Sequence, residues 1–81
     1  MKVKLRFYSA HREIVGTGEI EIEIEEKATI RDVMRKLMER YPKLKGLENS
    51  TFYSLNHRYA RGDEELKDGD ELSIFPPVEG G

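Results

Sequence analysis

The sequence has no cysteine, and that one absence removes disulfide frameworks, thiolate nucleophiles and zinc–sulfur sites together. It also lacks any run near the roughly 18 consecutive apolar residues of a membrane helix. Met1-Lys2 leads directly into an alternating pattern, not into the zones of a signal peptide. Neither sign of charge predominates: 14 Lys and Arg stand against 16 Asp and Glu, a formal net charge of −2. A nucleic-acid binder needs a clear basic excess, so the balance argues against that class. No nucleic acid, no membrane and a cytoplasmic location are the resulting expectations. No internal repeat and no low-complexity segment is visible.

What is present is periodicity. At 81 residues the chain has room for one core, and its 37% hydrophobic residues fall in regular patterns. Val3, Leu5 and Phe7 alternate with Lys2, Lys4 and Arg6, and Ile20, Ile22 and Ile24 alternate with Glu19, Glu21, Glu23 and Glu25. A period of two predicts half-buried strands, and the Gly16-Thr17-Gly18 break between them predicts a β-hairpin. Ile30, Val33, Met34, Leu37, Met38 and Tyr41 instead share one face of a 3.6-residue helix. Thr29 is its expected N-cap, Asp32 suits the positive end of the helix dipole, and Pro42 forbids continuation past Tyr41. Lys43 to Ser50 reads as a loop with at most a short helical turn. Thr51 to Asn56 reads as a strand, Asn56-His57-Arg58 as a tight turn, Tyr59-Ala60 as a short return strand, and Glu71 to Phe75 as the last strand after the Asp68-Gly69-Asp70 turn.

One helix must then cover one face of a mixed sheet, an α+β arrangement. The β-grasp architecture, that of ubiquitin, satisfies the order with first and last strands adjacent and parallel. Residues 1–75 form the expected domain and 76–81 a flexible C-terminal tail.

The body of this domain offers little chemistry. His11 and His57 are the only histidines and read as solvated turn residues. The glutamate ladder reads as a solvated sheet face, and the Gly-containing turns lack phosphate-loop spacing. Met34 and Met38 are explained by packing, so no metal or cofactor site is expected in this chain.

The end of the chain, Phe75-Pro76-Pro77-Val78-Glu79-Gly80-Gly81, is different. A frayed terminus is the plain reading. Against it, two prolines stiffen the exit from the sheet, and two glycines make a thread without side chains whose carboxylate another enzyme could activate. This string closely resembles the terminal signature of the molybdopterin synthase small subunit, a ubiquitin-like sulfur carrier family. Asp68-Gly69-Asp70-Glu71-Leu72, Leu55-Asn56, and Arg12-Glu13 with Gly16 extend the resemblance over nearly the whole chain. Glu79 departs from it, standing where a small or polar residue is more usual.

The resemblance implies that an E1-like enzyme, using ATP, adenylates the Gly81 carboxylate and that a sulfur donor converts it to a thiocarboxylate. The tail then enters the large catalytic subunit of a heterotetrameric synthase and gives its sulfur to cyclic pyranopterin monophosphate. Gly81 carries the sulfur, Gly80 permits threading, and Pro76, Pro77 and Val78 aim and seat the tail. The catalytic residues belong to the partner. Alternatives are a ubiquitin-like modifier joined to lysines through Gly81, which needs the same tail, and a sulfur carrier for thiamine thiazole synthesis, of the same fold but usually shorter and without the two prolines. A plain β-grasp interaction domain with an accidental Gly-Gly is a third. From the alternation itself, Tyr8 and Phe75, joined by Tyr59, are expected to form an aromatic docking patch on the uncovered face.

Overall fold

The computed structural model describes residues 1–77. Strands β1 (Lys2–Phe7), β2 (Glu19–Glu23), β3 (Phe52–Leu55), β4 (Arg58–Ala60) and β5 (Glu71–Phe75) form one sheet in the order β2-β1-β5-β3-β4. The central pair β1–β5 is parallel, with Leu5 opposite Leu72, and the other pairings are antiparallel. This is the expected β-grasp arrangement. Its alternation buries Val3, Leu5, Phe7, Leu72 and Ile74 on the inner face.

Helix α2 (Ile30–Arg40) lays Ile30, Val33, Met34 and Leu37 into the same core. Its start is a capping box: Asp32 N–H donates to Thr29 Oγ1 at 3.2 Å, and Thr29 N–H donates to Asp32 Oδ2 at 2.9 Å. Those Thr29 bonds hold the Asp32 carboxyl below its usual range. Pro42 ends α2 and, as its first residue, opens a 3₁₀ segment (Pro42–Ser50) whose Leu44 is buried. This segment is longer than the single turn that the sequence suggested.

The largest departure lies between β1 and β2. The two strands pair as expected, with Leu5 opposite Ile20, but they are not joined by a tight turn. A short helix, α1 (Ser9–Val15), fills the connection. Gly16 ends it in the left-handed region at φ 90°, its N–H donating to the Arg12 carbonyl at 2.8 Å. His11 is consequently not a solvated turn residue: it is 0% exposed, buried where α1 meets the 3₁₀ segment and β5.

Among the described residues no helix is long and apolar enough to cross a membrane.

Candidate functional site

The open face of the sheet carries the alternate residues of the strands that build the core. Its charged half is a set of cross-strand pairs: Lys2 opposite Glu23, Lys4 opposite Glu21 and Arg6 opposite Glu19. Opposite charges in such positions stabilise the ladder, which accounts for the glutamate row without a cation. Among the described residues no group of His, Asp and Glu is arranged to hold a metal ion. Arg6 Nε lies 3.3 Å from Glu19 and 3.5 Å from Glu71, and His57 Nε2 lies 3.7 Å from the other Glu71 oxygen. The guanidinium is held charged above its ordinary range, first by the Tyr8 side chain and then by Glu71.

Toward the C-terminal end of β5 the same face turns aromatic. Phe75 stands opposite Phe52, and Ser73 opposite Ser54. The two serines leave little bulk in their row. A shallow depression of about 550 Å³ opens there, lined by Tyr8, Ser9, His57, Phe75, Pro76 and Pro77 beside those serines. Tyr8 is 44% exposed and Tyr59 67%, the exposed large apolar side chains of the described chain. Tyr59 does not line the depression. It packs edge-on against Phe52, ring centroids 5.9 Å apart, and so reaches Phe75 only through that ring.

The structure thus brings together Tyr8, Phe75, Pro76 and Pro77 and sets Tyr59 at one remove. Val78, Gly80 and Gly81 lie outside the described residues. Phe52 and Ser9 were not foreseen. Phe52 could have been placed by extending the alternation through Ser54, but Tyr53 and Leu55 are also apolar, so the pattern did not say which side faced out. Ser9 adopts φ 51°, in the left-handed region, where β1 turns into α1.

No reactive pair sits in the depression. Among the described residues the hydrogen-bonded imidazole–hydroxyl pair is His11 with Thr51, which is in the interior. Pro76 and Pro77 follow directly on the end of β5, the middle strand of the sheet, at the rim of this depression.

Similar proteins match the chain over nearly its whole length. The ThiS family is matched over residues 5–81. A molybdopterin synthase sulfur carrier subunit from Chlamydomonas reinhardtii is 32% identical over 83 aligned residues, covering 100% of each chain. Small archaeal modifier protein 3 from Haloferax volcanii is 35% identical over 92 aligned residues, again 100% of each. A chain in the complex of subunits 1 and 2 of the molybdopterin-converting factor from Helicobacter pylori 26695 superposes with a TM-score of 0.70 at 26% identity, over 100% of both chains. With the match running from β1 to the terminal glycines, the chain belongs to the ThiS family.

Proposed function

We propose that this chain is the sulfur carrier subunit of a molybdopterin synthase. An E1-like partner uses ATP to adenylate the Gly81 carboxylate, a sulfur donor makes the thiocarboxylate, and the large subunit receives the tail and passes the sulfur to cyclic pyranopterin monophosphate. The observation that carries this reading is the placement of Phe75, Pro76 and Pro77. They continue the central strand β5 directly into the tail, beside a depression walled by Tyr8. A partner gripping that patch has the terminal thread aimed into it. Similarity to sulfur carrier subunits over the full chain supports the reading. So does the Helicobacter pylori neighbour, which is itself in a complex with its subunit 2.

The test is the intact mass of the protein purified from its own host under conditions that preserve thioacids. A fraction heavier by one oxygen-to-sulfur exchange at Gly81, and sulfur transfer to the pterin precursor when the large subunit is added, is the expected result. Thiocarboxylate that the large subunit cannot use would overturn the synthase assignment.

A second reading, a modifier joined to lysines through Gly81, is favoured by the 35% identity to the Haloferax volcanii modifier. Lysine-linked adducts in place of the thiocarboxylate would put it first.

A further inference from the structure

His11 plays no part in the tail reading, yet it is the buried polar side chain of the described core. Its ring connects the two segments that lead into the aromatic patch. Nε2 lies 2.8 Å from the Thr51 hydroxyl, and that hydroxyl donates its own hydrogen to the Leu47 carbonyl at 2.6 Å. A hydroxyl has one hydrogen, so here it accepts from His11 Nε2–H, a bond that the neutral and the doubly protonated ring can both make; it is the buried, unpartnered Nδ1 that points to the neutral form. Thr51 directly precedes Phe52, the ring opposite Phe75. At the start of α1 the Tyr8 carbonyl accepts the His11 and Arg12 amides at 3.2 and 3.4 Å. Nδ1 is buried and hydrogen-bonded to nothing among the described residues.

We propose that His11 is a positioning residue for the docking surface: its neutral ring pins α1 to the 3₁₀ segment and so holds Tyr8 and Phe52 on either side of Phe75, and a second proton, a charge buried without a counter-ion, loosens α1 and so weakens partner binding. Only the last step rests on the tail-and-patch reading.

Among the described residues the surroundings offer the added proton no counter-ion. Arg12 and Glu13 on α1, and Lys43, Lys45 and Glu48 on the 3₁₀ segment, are exposed. On β1, Lys2 is exposed, and Lys4 and Arg6 of β1 and Glu71 of β5 belong to the open face. A protonated Nδ1 would gain the nearby Tyr8 carbonyl as acceptor, but desolvation of the charge is the larger effect, and it pushes the imidazole below its ordinary proton affinity. The unfolded chain therefore binds this proton more readily, beginning near the ordinary histidine value of about 6.5. The pin is at full strength above that pH and weakens as pH falls, by up to about tenfold in the opening equilibrium per pH unit until the folded group itself titrates.

The test compares wild type with His11→Gln, whose amide keeps a donor toward Thr51 and cannot titrate. Amide exchange protection of α1, read at Gly16 and corrected for intrinsic rates, is measured from pH 7.5 to 5, together with affinity for the large synthase subunit. In wild type α1 protection is expected to fall by about tenfold and affinity by the factor by which the closed population shrinks, and in His11→Gln both are expected to stay within about twofold once other groups are subtracted. Those groups, His57 included, are common to both chains and cancel in the difference. Equal pH slopes in the two chains would overturn the proposal. An affinity that does not follow the closed population of α1 would overturn the link to docking. Absence of any binding at pH 7.5 would count against the tail-and-patch reading and leave the α1 result standing. If His11→Gln does not fold, ring nitrogen chemical shifts of wild type decide: a neutral ring with hydrogen on Nε2 and a titration below the ordinary histidine value of about 6.5 supports the pin, and any other state overturns it.

Discussion

Ile74 and Phe75 are neighbours in sequence and opposites in surroundings. Ile74 is 0% exposed against the helix side of the sheet, as are Leu5 and Leu72. Phe75 points the other way, into the depression from which the tail departs. The same holds for Leu5 and Arg6, and for Phe7 and Tyr8. Strand alternation lets each strand stabilise the domain with one set of side chains and keep the other on the open face, where the proposed partner would dock. The two tasks are separated by a single peptide unit instead of by regions of the chain.

The sharpest way to break this division is to truncate one residue on each side. Ile74→Ala removes a fully buried side chain and is expected to destabilise the fold by about 2–5 kcal/mol, read as a lower denaturant midpoint. That is a large share of the roughly 4–12 kcal/mol available to a chain of this size. Any loss of partner binding should then track the unfolded fraction. Phe75→Ala should do the reverse, weakening association by about 2 kcal/mol or more while shifting stability far less. A Phe75→Ala chain that binds as tightly as wild type, or unfolds as easily as Ile74→Ala, would end the comparison.

A smaller effect sharpens it. His57 holds φ 71° in the two-residue turn between β3 and β4, and Asn56 before it holds φ 50°. Such a turn prefers glycine at the second position, so His57→Gly is expected to raise stability by about 1 kcal/mol. If affinity for the partner falls at the same time, the His57 side chain belongs to the docking surface and not merely to its border.

How far the sequence foretold this division depends on what fixes each element. Period-two and period-3.6 patterns are properties of a segment by itself, so β1, β2, α2 and the bounds of β5 were legible, as was the Thr29–Asp32 cap. Helix α1 was not. Its seven residues have no side-chain cap at the start, and the reason for it to be helical lies elsewhere, in the 3₁₀ segment that packs on it. His11 was misread for the same reason: residues some forty positions downstream bury it. Tyr8 and Phe75 could be placed on the open face by counting, but the Phe52 link between Phe75 and Tyr59 depends on register across β3, and no short apolar strand states its own register.

The central parallel pair has a kinetic consequence. Leu5 cannot be covered until it finds Leu72, 67 residues further along the chain. Such long-range closure carries an entropy cost that local contacts do not share, and it slows folding. A chain with only β1, β2 and α2 assembled still exposes one edge of β1 and part of the apolar row that Leu72 and Ile74 complete. Insertion of β5 is therefore the expected rate-limiting event of folding. The strand that ends at the proposed docking patch is also the one that closes the core, so that patch would be complete only on chains that have finished folding.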